Sequence, residues 1–263
     1  MPSGLILNHL VSKTGKSNLD FNTKHPFGCF FAILNTDNLY RRVMKLFLDC
    51  SDVEQIAHAF ATGLVDGVTT NPSLMLKAGQ DPREVIKEIS SIFPWNASIS
   101  AEVVGDTAEE MLDMAEQYLD IGPNITIKVP CTFEGLKACR ELSDDEVPVN
   151  VTLIFSSAQA ILASKAGATY VSPFVGRVFD QSFDGIGVIE EIADVYATHN
   201  VKTQVLAASV REVHQVSAAF RVGADICTLP APIFYKMYKH MLTDKGLELF
   251  DKDWKELSKC LGE

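Results

Sequence analysis

The chain has 263 residues, 47% of them hydrophobic, with a formal charge of −11 and a pI near 5.0. That length suits one large core, the size of an α/β barrel of about 250 residues, and leaves little room for a second full domain. The acidic balance argues against a nucleic-acid partner, and no run reaches the roughly 20 apolar residues of a membrane span, so small substrates and a cytoplasmic setting are expected.

Residues 1–43 carry Lys13, Lys16, Lys24, Arg41 and Arg42 against Asp20 and Asp37, a net +3 that leaves −14 for the remainder. The segment has neither helical period nor strand alternation, although "FGCFFAIL" is apolar. It is expected to be a poorly ordered extension before a domain over 44–263, with an organelle-targeting peptide as the alternative.

From Lys45 the chain alternates strand and helix. "KLFLDC" predicts a strand, and Ser51 with Glu54 three residues later predicts a capping box for the next helix. "GVTT" predicts a second strand, followed by a helix whose Asp81-Pro82 supplies N-cap and first turn. "SISAEVV" precedes a helix opened by Asp106 or Thr107, and "ITIKV" precedes "EGLKACREL". The rhythm continues through "VPVNVTL", "TYVSPF", "TQVLAAS" and "DICTLP", each with its own helical stretch behind it. Eight such units predict a single (β/α)8 TIM barrel with parallel strands and right-handed crossovers. The competing doubly wound sheet lacks a G-x-G-x-x-G after its first strand. A final amphipathic stretch, "LELFDKDWKELSKCL", predicts an extra C-terminal helix that caps the barrel or meets a neighbouring subunit.

Six cysteines without a C-x-x-C pair predict reduced thiols rather than a zinc site. In such a barrel the active site forms where the strands end, and polar residues collect there: Asp49, Thr69, Thr70, Asn71, Glu102, Lys128, Asn150, Thr152, Ser172, Arg177, Ser209 and Arg211. Several have plain alternatives, with Ser209 as a helix cap, Asn71 as a turn residue and Thr152 as a strand former. Charges inside a strand are different, because a buried charge must be paired or neutralised. Lys128 therefore has two readings. One is an ion pair with Glu102 or Asp49 that merely stiffens the barrel. In the other, a confined and poorly hydrated amine attacks a carbonyl and forms a Schiff base. The iminium then accepts the electron pair released when the bond between the third and fourth carbons of a ketose breaks. Asp49 is available to take the proton from the hydroxyl on the fourth carbon, Glu102 with Thr152 to shuttle protons through water, and Arg177 with Arg211 to hold a phosphate. This chemistry calls for no metal and no cofactor.

"LFLDCSD", "GVTTNPSLM", "ITIKVPCTFEGLKA", "VNVTLIFSSAQA", "YVSPFVGRV" and "VLAASVRE" closely resemble the transaldolase family, specifically its short members that include the fructose-6-phosphate aldolases. The resemblance runs from Met44 onward and leaves residues 1–43 unmatched. It implies a (β/α)8 barrel, Lys128 as the Schiff-base lysine, Asp49 as the general acid/base, and Glu102 with Thr152 as the water-positioning pair. It also implies that Thr70, Asn71, Asn150 and Ser172 hold the ketose-derived part, with Arg177, Ser209 and Arg211 around the phosphate. The aldolases of the family carry Gln at the position of Glu102 and Tyr at that of Phe174, so this chain resembles a transaldolase at both. The implied reaction belongs to the pentose phosphate pathway. It moves a dihydroxyacetone unit from sedoheptulose 7-phosphate to glyceraldehyde 3-phosphate, giving erythrose 4-phosphate and fructose 6-phosphate. An aldolase releasing free dihydroxyacetone is the alternative, and a catalytically silent barrel is the reading from another class. The resemblance further implies a homo-oligomer, with ten-subunit rings known in the subfamily.

Overall fold

The computed structural model of the protein describes residues 44–261. The expectation for residues 1–43 lies outside the described residues, as do residues 262 and 263. β1 (Lys45–Asp49), β2 (Gly67–Thr69), β3 (Ser98–Glu102), β4 (Ile125–Pro130), β5 (Val149–Ile154), β6 (Tyr170–Pro173), β7 (Gln204–Ala207) and β8 (Ile226–Leu229) pair in chain order into a closed barrel. Every pairing is parallel, and β1 closes the ring against β8. The predicted (β/α)8 architecture is the observed one.

The helices follow from local signals and from what the strands leave to be covered. α1 (Val53–Phe60) comes after β1, and β2 is followed by α2 (Pro72–Ala78) and α3 (Pro82–Ile92). α4 (Ala108–Leu119), α5 (Phe133–Asp144) and α6 (Ser157–Lys165) follow the next three strands. After β6 come α7 (Val175–Asp180) and α8 (Gly185–Thr198), then α9 (Val213–Arg221), α10 (Ala231–Lys236) and α11 (Met241–Leu261). α2 and α7 were not expected. Asn71-Pro72 reads as a turn, yet it caps α2, and the six residues of α7 are too short to show a helical period.

One cap also differs from the sequence reading. α1 is capped by Asp52, whose carboxylate accepts from Gln55 N at 3.0 Å, while the Ser51 hydroxyl donates to Leu74 O at 3.0 Å and ties α2 back to β1. The carboxylate is the stronger acceptor at the positive end of a helix, and Ser51 is freed to join two elements. Thr107, by contrast, opens α4 with a full capping box to Glu110.

Alternation along each strand separates two environments. Outward side chains such as Leu48, Ile99, Ile127, Val151 and Val171 are buried against the helices in the main core, each burial stabilising by about 1.5–3 kcal/mol. The inward residues Phe47, Tyr170, Leu206 and Ile226 form a separate cluster with Ala208, and Phe47 meets Tyr170 edge-on at 6.2 Å. This apolar plug comes from β1, β6, β7 and β8. β2 to β5 contribute buried Thr69, Ser100, Thr126, Lys128, Asn150 and Thr152 instead. Asp49, Ser172 and Thr228 add polar groups near the ends of β1, β6 and β8, so the interior has an apolar plug and a polar side where the candidate site residues gather.

α11 is the exception to core packing: none of its 21 residues is buried. No helix among the described residues is long and apolar enough to cross a membrane.

Candidate active site

Lys128, two residues before the end of β4 at Pro130, is 4% exposed. Register places it opposite Glu102, the last residue of β3, on one side and Asn150 of β5 on the other. Residues paired in register share a face, so these three polar side chains stand at one level of the barrel. Lys128 Nζ lies 2.8 Å from Glu102 Oε2 and donates to Thr70 O at 3.0 Å. The amine therefore points inward, and both contacts come from strand ends that the fold brings together.

Asp49 closes β1 on the same polar side. Its Oδ1 accepts from Thr69 Oγ1 at 3.0 Å and, at the limit of hydrogen-bond length, from Asn71 Nδ2 at 3.5 Å. Asn71 uses its Oδ1 to cap α2 at Leu74 N, which turns the amide nitrogen toward Asp49. Thr69 has a single proton, spent on Asp49, so in its 2.7 Å contact with Thr228 the Thr228 hydroxyl donates. Burial raises the Asp49 carboxyl above the ordinary range, and this outweighs the opposing pull of the Lys128 charge and of the hydrogen bonds from Thr69 and Asn71. A carboxyl so placed takes up a proton more readily than an exposed one.

The third element is a buried amide and its partners. Ser172 Oγ donates to Asn150 Oδ1 at 2.7 Å, and Asn150 Nδ2 donates to Ser100 Oγ at 3.3 Å. This fixes Asn150 beside Lys128. Thr152 follows two residues later on β5, and its Oγ1 is the one buried side-chain oxygen or nitrogen among the described residues without a protein hydrogen-bond partner. Such an atom is costly unless something from outside the chain satisfies it.

Phe174, Arg177, Ser209 and Arg211 form a second group. Phe174 packs on the apolar plug, meets Phe155 at 5.8 Å, and carries the Arg177 guanidinium 4.8 Å above its ring. A cavity of about 750 Å³ is lined by Phe155, Arg177, Val178, Asp180, Gln181, Phe183, Val188 and Arg211. Lys128 does not line it. Ser209 is not the cap of α9: its φ is +59°, and Gln215 Oε1 caps that helix by accepting from Arg211 N at 2.9 Å and Glu212 N at 3.2 Å. Ser209 O instead accepts from Gly176 N at 3.1 Å. A side chain at Gly176 would begin 2.2 Å from that oxygen, so α7 can meet the 209–211 turn only through a glycine.

Sequence reading missed Ser100, Thr228, Gly176 and Asp180. Asp180 sits three residues beyond Arg177, and its carboxylate pairs with both terminal nitrogens of Arg211, which is 31 positions away in the chain. Among the described residues no group of three or more His, Cys, Asp or Glu is arranged to hold a metal ion.

Comparison with known proteins gives a consistent result. The family model described as Transaldolase/Fructose-6-phosphate aldolase matches residues 46–261. The chain is 51% identical over 211 residues to a "Probable transaldolase" of Paracoccus denitrificans, covering 80% of this chain and 96% of that protein. It is 50% identical over 211 residues to a "Probable transaldolase" of Caulobacter vibrioides, with the same coverage of both chains. A "Probable transaldolase" of Roseobacter denitrificans is 48% identical over 213 residues, which is 81% of this chain and 97% of that protein.

Proposed function

The chain belongs to the Transaldolase/Fructose-6-phosphate aldolase family, and from that premise we propose that it transfers a dihydroxyacetone unit between sugar phosphates through a Schiff base on Lys128. The observation that carries the reading is the buried Lys128 amine held 2.8 Å from Glu102 at the mouth of the barrel, within the electrostatic reach of Asp49. A binding barrel has no use for a lone amine between two carboxylates.

In the proposed sequence Glu102 takes the proton that the ammonium must lose, and the free amine attacks the ketone carbon of the donor. Proton transfers to the departing hydroxyl, relayed by Glu102 and a water held at Thr152, release water and leave an iminium. Asp49 then removes the proton from the hydroxyl on the fourth carbon. The bond between the third and fourth carbons breaks, its electron pair moves into the iminium, and an aldose phosphate departs. The enamine attacks the aldehyde carbon of the acceptor, Asp49 returns its proton to the new alkoxide, and hydrolysis frees the amine. The raised Asp49 carboxyl suits this two-way role, because a group that both takes and gives a proton works best with an affinity near the operating pH. Thr70, Asn71, Asn150 and Ser172 hold the bound three-carbon unit, and Arg177, Ser209 and Arg211 hold the phosphate.

Release of free dihydroxyacetone is the second reading. Phe174 favours transfer, since a phenyl ring offers the enamine no proton. Comparing fructose 6-phosphate cleavage with and without an acceptor aldose separates the two: equal rates would make the enzyme an aldolase. The Schiff base is tested by borohydride reduction in the presence of fructose 6-phosphate and mass mapping of the product. An adduct confined to Lys128 is expected, and a protein that turns over substrate without one would rule the mechanism out.

The same reading makes residues 44–263 the catalytic domain of a cytoplasmic enzyme of the pentose phosphate pathway, with residues 1–43 outside it. It also makes the enzyme a homo-oligomer, up to a decamer. Support for assembly comes from α11, where Leu247, Phe250, Trp254, Leu257 and Leu261 are all exposed at alternating spacings of three and four. That spacing is the seam a helix presents to a partner surface, here a second copy of the chain.

A further inference from the structure

Two arginines line the large cavity, and they are held in different ways. Arg177 rests its guanidinium over the Phe174 ring at 4.8 Å. Arg211 is held by hydrogen bonds at its backbone and at its guanidinium, and it lies against Gly176. Its backbone N donates to Gln215 Oε1 at 2.9 Å. Its Nε and the Ser209 hydroxyl converge on Gly176, at 2.9 and 3.0 Å from the point where a side chain there would begin. Its two terminal nitrogens both donate to the Asp180 carboxylate, Nη2 to Oδ2 at 2.7 Å.

A guanidinium has five N–H donors, and the Asp180 pair consumes the two that point forward between the terminal nitrogens. The remaining three lie on its flanks. With the forward edge clamped, the plane of the group is set, and an anion arriving in the cavity need not order a free arginine side chain. About half of each partner is exposed, so water screens the pair and it adds little to the stability of the fold. Its consequence lies in orientation.

We infer that Asp180 is a positioning residue for the phosphate end of the substrate: it holds the Arg211 guanidinium so that its flank donors, with Arg177 and the Ser209 hydroxyl, receive a phosphate monoester. The inference rests on the proposed sugar-phosphate reading and adds to it a residue that determines preference for phosphorylated over plain sugars. Asp180 touches no reacting atom, so its effect falls on substrate affinity and not on the chemical step.

The test uses the full chain and the variants Asp180→Asn and Asp180→Glu, each checked for an unchanged Tm. Two readouts are needed: kcat and KM with fructose 6-phosphate against plain fructose as donor, and competitive inhibition by inorganic phosphate. Loss of one charge-assisted contact in Asp180→Asn is expected to raise both KM for fructose 6-phosphate and Ki for phosphate by about tenfold. The kcat and the activity on plain fructose are expected to stay within about twofold, and Asp180→Glu to recover much of the loss. Unchanged or tighter phosphate binding in Asp180→Asn would overturn the inference by showing the carboxylate to be a competitor. Equal losses on fructose and fructose 6-phosphate would overturn it by showing a structural role. If phosphate fails to inhibit the wild-type protein at all, the phosphate reading of this cavity fails first and the inference goes with it.

Discussion

Lys128 and Glu102 stand opposite one another on adjacent parallel strands, in register, with Nζ 2.8 Å from Oε2 and both side chains largely shielded from water. A pair this buried is a poor way to stabilise a barrel, because desolvating two charges consumes most of what their attraction returns. It is a good way to keep an amine within one proton transfer of a base.

Replacing Glu102 with Gln keeps the shape and a hydrogen-bond acceptor but removes the base. We expect kcat for transfer to fall by on the order of a hundredfold, the low end of what general acid/base groups contribute. Borohydride trapping is expected to slow in parallel while the adduct stays on Lys128. An unchanged trapping rate would show that Glu102 takes no part in forming the imine.

Asp49 yields a prediction in which stability and activity move in opposite directions. Its carboxyl is raised by burial, so the folded protein binds the proton more tightly than the unfolded chain does. The stabilising contribution of this group is therefore fully present below the ordinary carboxylate value and is lost as pH rises through the raised value, leaving a cost at neutral pH. Asp49→Asn removes that cost and keeps an acceptor for Thr69. Its Tm at pH 7 is expected to exceed that of the wild type by on the order of a few degrees, with turnover reduced by at least about a hundredfold. The Tm difference should shrink as the pH is lowered toward the ordinary carboxylate range. A variant no more stable than wild type across that range would contradict the assignment of burial as the leading influence.

These contacts also show what a linear sequence can carry. The strand and helix rhythm was legible because period-two runs and caps such as Asp81-Pro82 and Thr107 with Glu110 are local signals. Lys128 stood out because a charge in a strand is locally anomalous. Thr228 was not legible: it lies 159 residues from the Thr69 hydroxyl it supplies, and only closure of β8 on β1 brings them together. Asp180 was hidden for the same reason, since the carboxylate and Arg211 meet across two different strand-to-helix connections. α7 escaped because six residues carry too little periodicity, although Gly176 within it marks a close backbone approach.

The apolar seam of α11 predicts an assembly defect separable from the chemistry. Trp254→Glu combined with Phe250→Glu places charges on two exposed seam positions of a helix with no buried residue. The far-UV spectrum and Tm of the barrel are expected to change little, because substitutions away from buried features usually stay within about 0.5 kcal/mol. Sedimentation velocity is expected to show a smaller species than the wild type at the same concentration. Identical sedimentation of the two proteins would remove α11 from the interface.

Phe174 offers the sharpest test of transfer against release. Its ring packs on the apolar plug formed by Phe47, Tyr170, Leu206, Ala208 and Ile226, with Phe155 at its edge and Arg177 above its face. On the proposed mechanism, this ring would give the enamine stage a neighbour that excludes water and donates nothing. Tyr at this position adds only an oxygen to the same ring, so the packing is retained while a proton donor with an ordinary affinity near pH 10 appears at the site. Protonation of the enamine carbon then competes with attack on the acceptor, and the three-carbon unit leaves as free dihydroxyacetone. For Phe174→Tyr we expect acceptor-independent release of dihydroxyacetone from fructose 6-phosphate to rise by about tenfold or more, as general-acid assistance predicts, and the ratio of transfer to release to fall with it. The ratio, measured by coupled assay for dihydroxyacetone with and without erythrose 4-phosphate, is insensitive to the amount of active enzyme. If it stays at the wild-type value, the protonation of the enamine is controlled by water access or by Asp49, and Phe174 serves only as a wall.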